Sequence, residues 1–512
     1  MDIAEERINY RKKCFKRGID MDTTRDNSRI KSLSLRKTRR EEKVRKRRYG
    51  DNKYEEIDLS EPNNFGTLNT SDTADTAETV DTLDQGLVKD VYSDIPNTAF
   101  VALEKIRKIL SQKSPPALSV VRSGVIPKLV EYLTYTNHPN HQYEAAWALT
   151  NIISGDSDIA RAVIDRSNIG SYMIELLNSQ NIKVRDQAAW CLSNIAGECI
   201  SYRDELIRRG CLSKILVLLD YEIGYEKRRL ESIRTLTWAM QNLTRGSPKP
   251  PFHMLMKALP VIKRLYEECW DEEVMNDTSY TLMYITNGAS EDQLRVVFNM
   301  GVITRDWMNK MSHGKGIARS ILRTCGNIIA GPNDLTQHLI DWGILTYLSK
   351  NINEYNIRSM IGSREYNSLK ETCWILSNIT AGTVDQIQGV INYGLIPIVI
   401  DRLTSSIWAV KKECIYVLSN LVRGGTNDQI SYLIDCNGIN SLCQVLGCGI
   451  DLTDEIILCD ICKILNNDKF DKYRDKIEEC GGLDKIEHLQ NSKNEKIYSL
   501  AVQIIEEYFE GT

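Results

Sequence analysis

The sequence predicts an all-α protein in which short helices repeat along the chain and stack into a superhelical solenoid. Three observations predict this class. An aromatic–Asn segment recurs at intervals of 42 to 51 residues, and a glycine recurs between the helical stretches. The composition, with 42% hydrophobic and 26% charged residues over 512 positions, is that of a folded chain long enough for a repeat array.

The recurring segment is seen most clearly in AAWCLSNIAGE, residues 188–198. Its Trp190 and Asn194 lie four residues apart, so they share one face of a helix. Seven copies occur at spacings of 43, 48, 42, 43, 51 and 42 residues, a period typical of armadillo and HEAT repeats. The first position is held by Trp147, Trp190, Trp238, Tyr280, Arg323, Trp374 and Tyr416, and six copies place Asn at the second position: Asn151, Asn194, Asn242, Asn327, Asn378 and Asn420.

A glycine precedes the second helix of several repeats. It occurs at Gly124, Gly210, Gly301, Gly343 and Gly394. Because Gly commonly ends a helix and Pro commonly begins the next, each repeat is expected to contain a short helix, a Gly turn, a second helix and the aromatic–Asn helix. The longer spacings indicate insertions near residues 224–229 and 353–364.

Two segments of different composition precede the repeats. Residues 1–48 contain 18 Lys/Arg and 8 Asp/Glu, whereas residues 50–95 contain 12 acidic and 2 basic residues. We therefore expect a basic arm over 1–49, a flexible acidic linker over 50–95 and the repeats over 96–512. Residues 49–512 contain 47 basic and 61 acidic residues, so the arm is expected to bind an acidic surface, the body of the chain included.

The repetition of aromatic and Asn positions predicts a peptide-binding groove. An Asn amide offers one donor and one acceptor, which match a peptide unit, and aromatic faces attract ammonium and guanidinium groups. Acidic residues lie near these positions; any single one would suit a solvated face, but their repetition favours binding of an extended Lys/Arg-rich peptide. They are Glu144, Glu198, Glu273, Asp277, Glu371 and Glu413.

Other functional classes are disfavoured by the sequence. It contains no phosphate-binding, nucleophile-elbow or metalloprotease motif, so we expect neither an enzyme nor a cofactor, and no catalytic residue is assigned. The C-x-x-C pair Cys459 and Cys462 lacks a second pair, so no metal site is expected. The cysteines are expected to be free thiols, and four are expected to be buried: Cys191, Cys325, Cys373 and Cys414. Neither a secretion signal nor a membrane span is expected.

The arm and the repeats together resemble the importin-alpha (karyopherin-alpha) family of nuclear-import adaptors over nearly the whole length. FKRGID, LRKTRREE and KRR are similar to the family's importin-beta-binding segment. RSGVIPKLVEYL resembles its first repeat, and KIEECGGLDKIEHLQ with IIEEYF resembles its tenth and last. The resemblance implies a right-handed superhelical solenoid of about ten armadillo repeats behind a flexible importin-beta-binding arm.

The resemblance also implies two sites for nuclear localisation signals. The major site would contain Trp147, Asn151, Trp190, Asn194, Glu198, Trp238, Asn242, Glu273 and Asp277, with Glu198 facing a cargo lysine. The minor site would contain Arg323, Asn327, Glu371, Trp374, Asn378, Glu413, Tyr416 and Asn420. In the arm, Lys46, Arg47 and Arg48 would be autoinhibitory, and the importin-beta-binding residues would be Arg11, Lys12, Lys16, Arg36, Lys37, Arg39 and Arg40.

The partners implied are importin-beta, cargo proteins with Lys/Arg-rich nuclear localisation signals, and an export receptor for recycling, with shuttling between cytoplasm and nucleus. Neither nucleic acid nor membrane insertion is expected. Two alternatives belong to other classes: a beta-catenin-like scaffold that binds acidic peptides in a basic groove, and a nucleic-acid-binding protein that acts through its arm. The acidic residues near the aromatic positions disfavour the first, and the acidic body disfavours the second.

Overall fold

The computed structural model describes residues 83–509 except 113–114, 227, 313–314, 355–363, 406 and 467–471. These residues form two compact units, an N-terminal unit that extends to Thr278 and a C-terminal unit that starts at Ser279. The basic arm, most of the linker and the predicted insertion around residues 355–363 lie outside the described residues.

The N-terminal unit is built from short and long helices in alternation. They are α1 (Gln85–Val91), α2 (Pro96–Leu110), α3 (Ala117–Arg122), α4 (Ile126–Tyr132), α5 (Pro139–Ile153), α6 (Ser157–Ser167), α7 (Ile169–Leu176), α8 (Ile182–Glu198), α9 (Ile200–Arg208), α10 (Cys211–Gly224), α11 (Leu230–Thr244), α12 (Phe252–Leu255), a 3₁₀ turn (Met256–Ala258), α13 (Leu259–Glu268) and α14 (Glu272–Thr286), which contains the boundary between the units.

The C-terminal unit continues the same order of helices. They are α15 (Glu291–Asn299), α16 (Arg305–Asn309), a 3₁₀ turn (Lys310–Ser312), α17 (Lys315–Ile329), α18 (Asn333–Asp341), α19 (Ile344–Glu354), α20 (Arg364–Thr380), α21 (Val384–Asn392), α22 (Leu395–Arg402), α23 (Trp408–Gly424), α24 (Asn427–Asp435), α25 (Gly438–Val445), α26 (Asp451–Leu465), α27 (Lys472–Glu479), α28 (Gly482–Leu489) and α29 (Glu495–Tyr508).

The predicted all-α repeat architecture is confirmed. Over the described ranges every regular element is helical, and a typical repeat consists of two short helices followed by a long one, as in α6, α7 and α8. Within each unit the long helices of neighbouring repeats pack side by side: α5 on α8, α8 on α11, α17 on α20 and α20 on α23. Their shared core contains the predicted buried cysteines, and all four of these thiols are free.

The turn between the first and second helices of a repeat requires a left-handed backbone conformation. The five predicted glycines adopt positive φ angles of 84°, 83°, 67°, 96° and 64° at Gly124, Gly210, Gly301, Gly343 and Gly394. Two further repeats use Asn168 and Asn437 at this turn, with φ of 48° and 68°. Asn is the non-glycine residue that best tolerates this conformation, because its side chain can bond locally. The Gly turns were predicted from the sequence, whereas the two Asn turns were not.

The folded region begins earlier in the chain than predicted. Helix α1 lies inside the stretch 50–95 that we expected to be a flexible linker. The Asp84 carboxylate caps this helix by accepting from the Gly86 amide at 3.0 Å. Leu87 and Val91 are buried, and the Tyr132 hydroxyl donates to the Val91 carbonyl at 2.7 Å. The acidic composition did not indicate this helix, because two apolar side chains are enough to pack it against the first repeat.

Candidate peptide-binding site

The N-terminal unit aligns three of the predicted aromatic–Asn pairs on adjacent long helices, which we call the N-terminal ladder. Its pairs are Trp147/Asn151 on α5, Trp190/Asn194 on α8 and Trp238/Asn242 on α11. The rings of Trp190 and Trp238 meet edge to face, with centroids 6.3 Å apart and planes at 89°. The repeat packing therefore brings residues that are 48 positions apart in the sequence into contact.

The three asparagines of this ladder differ in their hydrogen bonding. The Asn151 amide donates to the Ser111 hydroxyl at 3.0 Å, and the Asn242 amide donates to the Ser193 hydroxyl at 2.7 Å. In Asn194 both the amide nitrogen and the amide oxygen are buried, and neither has a hydrogen-bond partner within the described chain. A buried amide in this state carries a desolvation cost that nothing in the described protein offsets.

Glu198, at the end of α8, is held in place by two neighbours on α6. It accepts from the Ser157 hydroxyl at 2.5 Å and from the Arg161 guanidinium at 3.2 Å. Its side chain is only 3% exposed, whereas that of Arg161 is 40% exposed. The carboxylate is therefore fixed and largely desolvated, which strengthens its attraction for a nearby cation.

A cation of the chain itself covers the first tryptophan. The Arg107 guanidinium lies 4.4 Å from the centroid of the Trp147 ring, and its Nε lies 2.7 Å from the Glu144 carboxylate. Glu144 is thus the partner of Arg107. Arg107 was not identified from the sequence, because it lies on the long helix of the preceding repeat, 40 residues from Trp147.

The acids predicted beside Tyr280 have different surroundings. Arg234 lies 3.5 Å from the Glu273 carboxylate and donates to both oxygens of Asp271, at 3.0 and 2.7 Å. These hydrogen bonds lower the pKa of Asp271. Asp277 is almost completely buried. Glu273, on α14, therefore lies beside an Arg–Asp pair that joins α11 to the residue just before α14.

The C-terminal unit contains a second row, the C-terminal ladder. Its pairs are Arg323/Asn327 on α17, Trp374/Asn378 on α20 and Tyr416/Asn420 on α23. Arg323 occupies the position that is aromatic in the other copies, and its guanidinium lies 4.8 Å from the Trp374 centroid and 3.6 Å from Glu371. As at Trp147, an arginine of the preceding repeat covers the tryptophan and pairs with the acid three residues before it.

The asparagines of this ladder repeat the contrast seen in the N-terminal one. Asn327 donates to the Thr286 hydroxyl at 3.1 Å, and Asn420 donates to the Ser377 carbonyl at 2.8 Å. Both polar atoms of Asn378 are buried, with no hydrogen-bond partner in the part of the chain that the structure describes. Asn378 and Asn194 occupy equivalent positions on their helices, each four residues after a tryptophan. Among the described residues, each ladder therefore contains one amide with neither polar atom hydrogen-bonded.

Two glutamates of the C-terminal ladder are desolvated. Burial raises the pKa of Glu371, opposed by the charge of Arg323, and burial likewise raises the pKa of Glu413. Glu413 lies 3.5 Å from the Ser377 hydroxyl. The second carboxylate oxygen of Glu371 is buried without a hydrogen-bond partner among the described residues. A cation brought close to these groups would stabilise their charged forms.

The predicted arm residues lie outside the described residues. These are the autoinhibitory Lys46, Arg47 and Arg48 and the importin-beta-binding Arg11, Lys12, Lys16, Arg36, Lys37, Arg39 and Arg40. Across the described ranges, no helix has the length and apolar character needed to cross a membrane.

Comparison with known proteins provides matches to both the repeats and the whole chain. Residues 113–154 and 166–197 match the Armadillo/beta-catenin-like repeat, and residues 471–512 match the Atypical Arm repeat. An engineered protein of known crystal structure superposes with a TM-score of 0.69 at 22% identity, covering 83% of this chain and 99% of its own, which supports the fold.

Two curated relatives match nearly the full length. Importin subunit alpha-1a of Oryza sativa subsp. japonica is 34% identical over 515 residues, which cover 98% of this chain and 93% of the relative. Importin subunit alpha-4 of Arabidopsis thaliana is 34% identical over 516 residues, which cover 98% and 92%. The repeated helices and this similarity along the whole chain lead to one conclusion: the protein belongs to the importin alpha family.

Proposed function

We propose that the protein is a nuclear import adaptor that binds Lys/Arg-rich nuclear localisation signals of cargo on its two ladders. Its membership of the importin alpha family supports the adaptor role. In this proposal the N-terminal ladder is the major site and the C-terminal ladder is the minor site. The arm, residues 1–49, links the loaded adaptor to importin-beta.

The unsatisfied amides of Asn194 and Asn378 are the observation that supports peptide binding most directly. Each offers one N–H donor and one C=O acceptor, and neither group has a hydrogen-bond partner in the described protein. The backbone of an extended peptide offers the complementary pair at every residue. Both amides are buried in this structure, so binding would require the groups that cover them to move aside. It would then replace an uncompensated desolvation cost with two hydrogen bonds, whatever the side chains of the peptide are.

The charged groups beside the amides favour basic peptides. Glu198 is the acid for a cargo lysine at the major site, because it is fixed by Ser157 and Arg161 and largely desolvated. Glu413 has the corresponding role at the minor site, where an incoming cation would offset the cost of ionising a buried carboxyl group. Tryptophan rings accommodate the aliphatic stems of Lys and Arg and attract their charged ends.

The two sites are expected to contribute unequally. Tyr416 offers a weaker cation–π surface than the tryptophan at other copies, so the minor site contributes less. A peptide with two basic clusters gains affinity by occupying both sites through one linker, which is an effective-concentration effect.

The arm is proposed to compete with cargo when importin-beta is absent. It carries the basic cluster Lys46, Arg47 and Arg48, whereas residues 49–512 have an excess of acidic residues. Importin-beta would hold the arm and thereby release the sites. A dedicated export receptor would return the adaptor to the cytoplasm, so that the protein shuttles between the two compartments.

Charge reversal at Glu198 tests the major site. Glu198→Arg should weaken binding of a fluorescent single-cluster signal peptide by about 2–5 kcal/mol in anisotropy titrations, because a desolvated pair is replaced by repulsion. Glu175→Arg is the matched control, since it makes the same change of charge at a carboxylate that is 73% exposed on α7. Equal losses in both variants would mean that only the net charge matters, and unchanged binding by Glu198→Arg would refute the assignment of this residue.

Deletion of residues 1–48 tests the competition by the arm. The shortened chain should bind the same peptide more tightly than the full chain, and importin-beta added to the full chain should reproduce that gain. Equal affinities of the two chains would refute autoinhibition while leaving the peptide site intact.

A further inference from the structure

The arginine that pairs with Glu198 is held differently from the two arginines that cover tryptophans. Arg107 and Arg323 are only 14% and 13% exposed, and each guanidinium lies over a ring. Arg161 is 40% exposed and contacts the Glu198 carboxylate through its Nε at 3.2 Å. Among the described residues, its two terminal nitrogens form no hydrogen bond and its guanidinium covers no ring. Arg161 is therefore held by a single contact.

The position of Glu198 does not depend on this contact. The Ser157 hydroxyl donates to the same carboxylate oxygen at 2.5 Å, and the Glu198 side chain is almost completely buried. A partly exposed arginine can turn its charged end into water while its aliphatic stem stays on the protein surface. Arg161 can therefore leave the carboxylate while Ser157 keeps the carboxylate in place.

A second guanidinium lies at the same end of α8. Arg245 donates to the carbonyl of Gly197, the residue before Glu198, at 3.3 Å. The last carbonyls of a helix attract cations, because they lack partners within the helix. The C-terminal end of α8 thus carries two positive groups of the chain itself before any peptide arrives. A peptide ammonium meets a carboxylate whose charge is already compensated.

We propose that Arg161 is a displaceable counter-ion of Glu198 that sets how strongly this subsite prefers lysine, a role that rests on the proposed function. A lysine ammonium that reaches the carboxylate either displaces the guanidinium or lies beside a like charge. Both outcomes reduce the gain from the new ion pair. A neutral side chain at the same peptide position leaves the pair of Arg161 and Glu198 intact. Arg161 therefore narrows the difference in affinity between lysine and a neutral residue at this subsite.

The test compares the full chain with its Arg161→Gln variant by fluorescence anisotropy. The probes are a single-cluster Lys/Arg peptide and versions in which one lysine at a time is norleucine, which keeps the aliphatic stem and lacks the charge. The measured quantity is the ratio of the lysine and norleucine affinities at each position. Competition from the arm leaves this ratio unchanged, because it lowers the apparent affinities of all the peptides by the same factor. At one position the ratio should be about 2- to 5-fold larger in Arg161→Gln, the effect of losing a partly exposed ion pair. Ratios that are the same in both proteins at every position would overturn the proposal.

Two further variants separate the counter-ion from a general effect of charge. Arg166→Gln is the matched control, because it removes the same charge from an exposed position in the last turn of α6, and it should leave every ratio unchanged. Arg161→Lys keeps a cation beside Glu198 and should resemble the parent chain. A rise in Arg166→Gln or Arg161→Lys equal to that in Arg161→Gln would refute the role of Arg161 while leaving the peptide site intact. If the parent chain bound none of the peptides, the proposed function itself would be refuted, and this role with it.

Discussion

Replacing Asn194 with leucine should stabilise the fold and weaken peptide binding at the same time. Both polar atoms of Asn194 are buried with no hydrogen-bond partner in the described chain, so the folded protein bears their desolvation cost. Leucine has a similar shape and carries no polar atom that requires a partner. If Asn194 instead stabilised the fold, its replacement would lower the free energy of unfolding.

The expected changes in unfolding free energy and in peptide affinity follow from the buried amide and the hydrogen bonds it could form. Burying an amide without a hydrogen bond costs about 1–3 kcal/mol, so Asn194→Leu should raise the free energy of unfolding of the N-terminal unit by up to about that amount. The same change removes two prospective hydrogen bonds to a peptide backbone, each contributing about 0.5–1.5 kcal/mol. The peptide dissociation constant should therefore rise about 5- to 150-fold.

The assays are urea unfolding followed by circular dichroism and fluorescence anisotropy with a single-cluster basic peptide. Asn242→Leu is the matched control, because Asn242 donates to the Ser193 hydroxyl at 2.7 Å and its replacement should destabilise the unit. If Asn194→Leu lowers the free energy of unfolding while peptide affinity stays unchanged, the amide is a structural group and the argument for the ladder is wrong.

Three further predictions concern other parts of the molecule. Arg107→Ala should destabilise the N-terminal unit by about 1.5–3 kcal/mol in urea unfolding, because Glu144 loses a hydrogen bond between charged groups in a mostly buried environment. Binding of a basic peptide to the C-terminal ladder should strengthen as pH rises from the ordinary pKa range of glutamate through the raised pKa of Glu413. The reason is that a bound cation favours the charged carboxylate, so binding releases a proton. Calorimetry in buffers of different ionisation enthalpy measures this proton release. Asn168→Ala should cost about 1–2 kcal/mol in thermal or urea unfolding, because φ is 48° there.

Each of these predictions has a control that separates it from a general effect. Lys108→Ala removes an exposed ion pair to Glu104 and should change stability by less than about 1 kcal/mol; an equal effect of Arg107→Ala would contradict the first prediction. Glu413→Gln should make the pH profile flatter, and a profile that is the same in both proteins would assign the proton to another group. Asn168→Gly should be at least as stable as the parent, and a loss equal to that of Asn168→Ala would show that the backbone angle is not the cause.

The sequence was sufficient to predict the elements that depend on local spacing. The four-residue spacing of Trp190 and Asn194 recurs in the other copies, and a helix places residues four apart on one face. The Gly turns were predictable because φ near 60–100° excludes most residues. Helix α1 was missed because its composition resembles that of the acidic stretch before it.

The contacts between repeats could not be predicted in the same way. Arg107 and Arg323 cover Trp147 and Trp374 from the preceding repeat, and nothing in the sequence around either tryptophan indicates which distant side chain reaches its ring. Similarly, Asn151 and Asn242 have hydroxyl partners about 40–50 residues away, whereas Asn194 has none in the part of the chain that the structure describes. The same motif therefore has different energetics in successive repeats, which depend on the packing between long helices.

If a basic peptide binds as proposed, recognition at Trp147 and Trp374 becomes an exchange of cations, because an arginine already covers each ring. A peptide lysine arriving there does not gain a full cation–π contact, because it displaces a guanidinium that already has one, and the net change is close to zero. Each exchange must also wait for the resident side chain to move. In the proposed function these two tryptophans would therefore affect how quickly a basic peptide is admitted and released, while its equilibrium affinity would come from the amides, the glutamates and the other aromatic rings of the ladders.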